Sequence, residues 1–220
     1  MKRVNIIVGR FQPITKGHIK CIEYIWNKPH IPTIIVMIET KKLDERHPFD
    51  STVLLEVYKK MFASNEMIED IITFKNADIV KIGGMLRESG YEIRSWVCGT
   101  DRYESYLNMS TKYAEQAFLP DDFEVIEIKR GDDDVSATKL RTAIKNNDFE
   151  TFVKLFPKTS TPAKIYSKLK EMYDAQAESY KAAQEDLKSS RRYNTIMMII
   201  AAVAMIAAIT GPIVTILVSQ

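Results

Sequence analysis

Cysteine is scarce in this sequence. Cys21 and Cys98 are the only two in 220 residues, they lie far apart, and neither belongs to a CxxC pair. That pattern excludes a disulfide framework and favours buried thiols in a reducing compartment, since both sit among apolar neighbours. Histidine is scarce as well: His18, His30 and His47 are the only three, and no metal-site spacing is visible among them. An excess of charge is missing too. The 31 Lys and Arg against 29 Asp and Glu leave +2, too little to make nucleic acid the expected partner. There is no internal repeat and no low-complexity tract. The first nine residues lack the apolar run of a signal peptide and read as a strand leading into Gly9-Arg10.

What is present is ordinary for a folded domain with an appendage: 45% hydrophobic and 27% charged residues. Short β-branched runs at Val4–Val8, Thr33–Ile38, Asp70–Phe74, Ile93–Cys98 and Glu124–Ile128 predict strands. Amphipathic stretches at Gly17–Trp26, Ser51–Phe62, Ala77–Glu88, Tyr103–Phe118 and Ser136–Phe156 predict helices, with Gly83-Gly84 weakening the third. Alternating strands and helices imply βαβ units, hence an α/β fold with an open, Rossmann-like parallel sheet covered on both faces.

The character changes after Pro157. Residues 1–157 read as the folded domain, 158–194 as a polar linker and helical stalk, and 195–218 as a separate apolar helix. Within the stalk, Ile165, Leu169, Met172, Gln176, Tyr180, Ala183 and Leu187 recur at spacings of three and four. That seam fits a solvated stalk or an oligomeric coiled coil about equally well. From Thr195 to Val218 no residue is charged, enough for the roughly 20 helical residues that cross a bilayer core. Lys188, Arg191 and Arg192 stand just before it, so the expectation is a single-pass, tail-anchored protein with its folded domain in the cytoplasm. A buried core helix is the alternative.

The chemistry lies in the string Gly9-Arg10-Phe11-Gln12-Pro13-Ile14-Thr15-Lys16-Gly17-His18, at the end of the first strand and the start of the first helix. Ligands of open α/β sheets bind beyond the carboxyl ends of the strands, so a phosphate is expected here. Gly9 and Gly17 allow close backbone approach, the helix start offers free N–H groups, and Arg10, Thr15, Lys16 and His18 supply donors or positive charge. A second helix start, Ser136-Ala137-Thr138-Lys139-Leu140-Arg141, has Ser136 as its cap and Lys139 and Arg141 in its first turns. Two such starts facing one another would hold a triphosphate.

The first string resembles the TxGH signature of the nucleotidyltransferase superfamily related to class I aminoacyl-tRNA synthetases. Its Gly-Arg-Phe-Gln-Pro form is most similar to nicotinamide-nucleotide adenylyltransferases of the archaeal and NadR-like type and to phage relatives. Val135 to Arg141 resembles the second signature, ISxTxxR, with Val for Ile. Trp96 to Arg102 resembles the strand-end G-x-D segment, and Arg46-His47-Pro48-Phe49, more loosely, an Asn-Pro-Phe stretch. The similarity covers about residues 3–156.

The resemblance implies transfer of a nucleotide from ATP, as its magnesium complex, to nicotinamide mononucleotide with release of pyrophosphate. It implies catalytic roles for His18, Thr15, Arg10, Lys139 and Arg141. The nucleotide would be bound by Gly9, Phe11, Gly17, Gly99, Asp101, Arg102, Ser136 and Thr138, and no metal ligand is expected from the chain. His47 stands where the family has Asn, and absence of an Arg-Thr-Glu-Gly-Ile-Ser-Thr string argues against a CTP enzyme. Other readings keep the site with another phosphorylated metabolite or a lipid-linked head group as acceptor, or make the chain a non-catalytic assembly protein of a phage virion that inserts in a membrane. Trp96 reads as core ahead of a base-stacking residue, and Asp132-Asp133-Asp134 as a solvated loop ahead of a metal site.

Overall fold

The computed structural model describes residues 1–26, 30–129 and 136–218, the last segment without the side chains of 203, 204 and 206–218. Val135 and the Asp132-Asp133-Asp134 run lie outside the described residues. Five strands, β1 (Lys2–Gly9), β2 (Thr33–Ile38), β3 (Ile68–Phe74), β4 (Tyr91–Gly99) and β5 (Glu124–Ile128), form one sheet in the order β3-β2-β1-β4-β5. Every neighbouring pair is parallel. The helices are α1 (Lys16–Trp26), α2 (Ser51–Phe62), α3 (Ile79–Glu88), α4 (Thr100–Lys112), α5 (Ala137–Lys145), α6 (Phe149–Leu155) and α7 (Pro162–Val218).

The sheet is covered on both faces because its strands alternate. In β2, Ile35 and Met37 join one core cluster while Ile34 and Val36 join the other, as the two-residue period of a strand requires. The first cluster also gathers Ile22, Leu54, Tyr58, Leu140, Phe152 and Phe156, and the second gathers Ile82, Leu86, Trp96 and Tyr106. Trp96 is fully buried and stacks on Tyr106 at 3.9 Å between ring centroids, so it is core. Buried Asn5 sits where the β1–β4 register shifts. Its amide donates to the Ile31 carbonyl at 2.9 Å and its Oδ1 accepts from the Ser95 hydroxyl at 2.6 Å, which satisfies a polar group inside the sheet.

Gly83 and Gly84 do not break α3. A Cβ on Gly83 would stand 2.1 Å from the Ala117 carbonyl oxygen, so the helix needs glycine to approach that backbone. Two predicted helices differ from the observed ones. Helix α4 starts at Thr100 and stops at Lys112, where Tyr113 leaves the helical region at φ −118; the chain then turns, with Phe118 at φ 55, instead of running on as helix to that residue. The predicted helix over 136–156 is two helices. Asn147 takes the left-handed conformation at φ 58, and Asp148 then caps α6 by accepting from the Thr151 amide at 2.9 Å.

Contacts divide the chain into Met1–Asp174 and Ala175–Gln220. The opening turns of α7 therefore belong to the first unit. Ile165 and Leu169 are buried in its first core cluster, and Tyr166 meets Phe149 and Phe152 edge-on, each at 5.1 Å between centroids. Burying two such aliphatic side chains contributes about 3–6 kcal/mol, a large share of the roughly 5–15 kcal/mol by which domains are stable. In the second unit α7 continues with Tyr180, Leu187 and the apolar residues Ile196 to Ile200 exposed. Among the described residues no helix is long and apolar enough to cross a membrane. Most side chains of the apolar stretch 195–218, on which the expected span rests, lie outside the described residues.

Candidate active site

A cavity of about 560 Å³ opens beyond the carboxyl end of β1. It is lined by Arg10, Phe11, Gln12 and His18 from the first motif, Glu45, Arg46 and His47 from the loop after β2, Ala137, Thr138, Arg141, Thr142 and Lys145 from α5, and Tyr173 from α7. Arg10, Arg46, Arg141 and Lys145 face a single carboxylate, Glu45, so the lining favours an anion.

The loop carrying Arg10 to Thr15 is fixed from beneath. Phe11 is buried with a left-handed φ of 47. Fully buried Tyr58 straddles the turn, its hydroxyl accepting from the Ile14 amide at 2.8 Å and donating to the Phe11 carbonyl at 3.0 Å. Burial drives the Tyr58 phenol pKa well above its ordinary value, so it stays protonated. Buried Gln12 ties this loop to the next one, donating to the Phe49 carbonyl at 2.8 Å and accepting from the Phe49 amide at 3.1 Å.

His18 is oriented from its own helix start. The Thr15 amide donates to His18 Nδ1 at 2.9 Å, and the Thr15 hydroxyl stands 2.9 Å from the same nitrogen. A backbone N–H can only donate, so Nδ1 is the acceptor and the ring proton sits on Nε2. His18 thereby becomes a hydrogen-bond donor on the side of the ring away from Thr15. The Phe11 ring meets its edge at 5.0 Å.

Arg141 joins the two motifs. Its Nη1 donates to the Gln12 carbonyl at 2.6 Å and its Nη2 to the Thr138 hydroxyl at 3.0 Å. Two of the fork's five N–H groups are thereby engaged. Burial lowers the Arg141 pKa from the usual arginine value, the expected consequence of drawing a guanidinium half out of water.

Of the residues expected from sequence, the cavity brings together Arg10, Phe11, His18, Thr138 and Arg141. Thr15 is buried and serves His18 instead of lining the cavity. Ser136 caps α5, accepting from the Lys139 amide at 3.3 Å, while the Lys139 side chain is exposed and outside the lining. Lys16 turns to the Lys154 carbonyl. Gly17 lies in the first turn of α1, and Gly9 ends β1 under the Phe11 ring, 3.3 Å from where its Cβ would be. Gly99, Asp101 and Arg102 are at the β4–α4 junction, Asp101 and Arg102 exposed and 3.7 Å apart, and none of the three lines this cavity. Sequence reading missed Gln12, Glu45, Thr142, Lys145 and Tyr173. Thr142 and Lys145 had a signal, since Thr138, Arg141, Thr142 and Lys145 follow helical spacing on one face. Tyr173 had none, because its place depends on α7 docking through Ile165 and Leu169.

A parallel sheet with a cationic cavity beyond the carboxyl end of its first strand, lined from the loop after that strand and from a second helix start, is the arrangement of an α/β nucleotide-binding enzyme. The chain matches the cytidylyltransferase-like family over residues 6–143, more than half its length, and belongs to that family of nucleotidyltransferases. Among curated proteins none matches. Solved structures share the fold at low identity. A bifunctional NMN adenylyltransferase/ADP ribose pyrophosphatase from Francisella tularensis has a TM-score of 0.55 at 17% identity, over 84% of this chain and 55% of that one. This chain thus spans about half the length of that protein. The Francisella protein complexed with AMP and a manganese ion gives 0.51 at 18% identity, over 84% and 54% of the two chains. The Plasmodium falciparum nicotinic acid mononucleotide adenylyltransferase complexed with NaAD gives 0.52 at 15%, over 79% of this chain and 98% of that one.

Proposed function

We propose that this nucleotidyltransferase moves the adenylyl group of ATP to nicotinamide mononucleotide, releasing pyrophosphate. The observation that carries the reading is the convergence of Arg10 from the loop after β1, His18 from the start of α1 and Arg141 from α5 on one cationic cavity. The similar structures are an NMN adenylyltransferase and a nicotinic acid mononucleotide adenylyltransferase, which supports a pyridine mononucleotide as acceptor.

The acceptor's phosphate monoester is already anionic, so no general base is needed. Its oxygen attacks the α-phosphorus in line, a new P–O bond forms there, and the bond to the bridging oxygen of the β-phosphate breaks. The pair of electrons leaves with pyrophosphate. His18 donates through Nε2–H to the phosphate oxygens that gain charge, and Arg10 and Arg141 neutralise the triphosphate. Thr15 acts by holding the His18 tautomer. The substrate is ATP as its divalent metal complex, Mg²⁺ in the cell; the AMP and manganese complex of the Francisella protein supports this. Gly99, Asp101 and Arg102, at the end of β4, bind the nucleoside away from the phosphates.

The second part of the proposal is location. Its basis is the sequence: the stretch 195–218 carries no charged residue, and 24 residues as a helix at 1.5 Å each would measure about 36 Å, against about 30 Å of hydrocarbon. We infer that it spans a bilayer, with Lys188, Arg191 and Arg192 keeping the enzyme on the cytoplasmic side.

Pyrophosphate release by the full chain in detergent, with ATP and a panel of phosphorylated acceptors, tests the activity. Release with nicotinamide mononucleotide is expected, and release only with a different acceptor would reassign the substrate. Alkaline carbonate extraction of membranes tests the anchor: the full chain should stay with the lipid and a chain ending at Tyr193 should not.

A further inference from the structure

We propose that His47 is a positioning residue that holds Arg10 in the nucleotide cavity through an Asp44–His47–Arg10 hydrogen-bond chain. This rests on the reading of the cavity as a triphosphate site.

The chain of contacts has a defined direction. Arg10 Nη1 lies 2.8 Å from His47 Nε2. A guanidinium has donors only, so Nε2 must accept, and the neutral ring carries its proton on Nδ1. That proton goes to Asp44 Oδ1 at 3.1 Å. The same carboxylate oxygen accepts the backbone amides of Arg46 at 2.8 Å and His47 at 2.7 Å. Asp44 therefore folds its own loop into a turn and, in the same act, selects the His47 tautomer.

The loop is not free to drift from Arg10. Phe49, two residues beyond His47, is fully buried and doubly bonded to the Gln12 side chain, two residues beyond Arg10. The acceptor and the arginine are thus carried by two loops clamped together at a fixed spacing. Arg10 itself is exposed, and a long exposed side chain left alone samples many rotamers. An acceptor 2.8 Å from its head removes much of that freedom before a ligand arrives.

The charged groups around His47 agree with a neutral ring. It faces Arg10 from the loop after β1, Arg141 from α5 and Asp44 from its own loop. Burial lowers its pKa most, Arg10 and Arg141 push the same way, and Asp44 opposes them. Protonation would place an N–H against the guanidinium and break the contact.

Two measurements on the full chain in detergent decide this. Long-range proton–nitrogen NMR should show His47 as the Nδ1–H tautomer at pH 7, and Arg10→Gln should raise its pKa by removing the repelling charge. Calorimetry with an ATP analogue bearing a methylene between the α- and β-phosphates gives the binding side. His47→Ala should weaken binding roughly tenfold, the size of one charge-assisted hydrogen bond. His47→Gln should recover most of that, because Gln Oε1 reaches the place of Nε2 as an acceptor. Arg10→Ala combined with His47→Ala should bind no more weakly than Arg10→Ala alone. An Nε2–H tautomer, additive losses, or His47→Gln as weak as His47→Ala would overturn the proposal. If the unaltered chain binds no triphosphate, the nucleotidyltransferase reading of the cavity fails instead, and the tautomer and titration still decide whether His47 holds Arg10.

Discussion

Replacing Tyr58 with Phe removes one oxygen and leaves the ring in place, so the effect isolates the two hydrogen bonds that hold the turn beneath the cavity. The Ile14 amide then loses its acceptor in a fully buried setting, and the Phe11 carbonyl loses its donor. A buried unsatisfied amide costs about 1–3 kcal/mol and a lost donor to a carbonyl about 0.5–1.5, so Tyr58→Phe should destabilise the first unit by about 2–4 kcal/mol. Urea unfolding followed by the fluorescence of buried Trp96 should show a lower midpoint with an unchanged slope. The pH dependence has a sign as well. Burial raises the Tyr58 pKa in the folded state above its ordinary value of 10.0. Its contribution is therefore whole below about pH 10 and is lost as pH rises through the raised folded value, because only the unfolded chain can ionise. The gap between the two proteins should narrow in that alkaline range. A loss under about 0.5 kcal/mol at pH 7 would refute the view that Tyr58 pins the Arg10–Thr15 turn.

Other outcomes follow from single contacts. Gly83→Ala gains up to about 1 kcal/mol of helix propensity but drives a methyl against the Ala117 carbonyl, so a net loss of about 2 kcal/mol is expected in the same unfolding assay. Leu169→Ala, in the docked part of α7, should cost about 2–5 kcal/mol, whereas Leu187→Ala in the exposed part should change stability by less than about 0.5. Burial pushes the Cys98 thiol up to about 11 from 9.0, so its thiolate at pH 8 is roughly a hundredfold rarer than for a free cysteine. Iodoacetamide labelling read by mass spectrometry should be slower at Cys98 by at least that factor.

The sheet was legible because its strands are apolar on both faces and punctuated by turn residues. Thr33–Ile38 and Glu124–Ile128 end where the sequence pattern says they should. The break between α5 and α6 was written in Asn146-Asn147-Asp148, a left-handed residue followed by a cap, but the apolar periodicity on either side concealed it. The candidate site was half legible. Residues next to Gly9 and Ser136 could be found because chemistry and chain position coincide there. Glu45 and Tyr173 reach the cavity through tertiary docking, and no local pattern marks them, whereas Lys145 follows the helical spacing of Thr138 and Arg141. The stalk shows the same limit. Ile165 and Leu169 fit a heptad seam equally well as docking residues, and only the core cluster they share with Phe152 and Phe156 decides which they are. A chain cut after Pro157 would lose that docking and with it part of the core.

The central claim is that the cavity transfers the adenylyl group itself. The full chain, supplied with magnesium, nicotinamide mononucleotide and ATP labelled at the α-phosphorus, should carry the label into a dinucleotide. His18→Ala should slow that transfer roughly a hundredfold or more while the protein still unfolds cooperatively. Label released as free AMP, or phosphate released from the γ-position with no dinucleotide formed, would contradict the account.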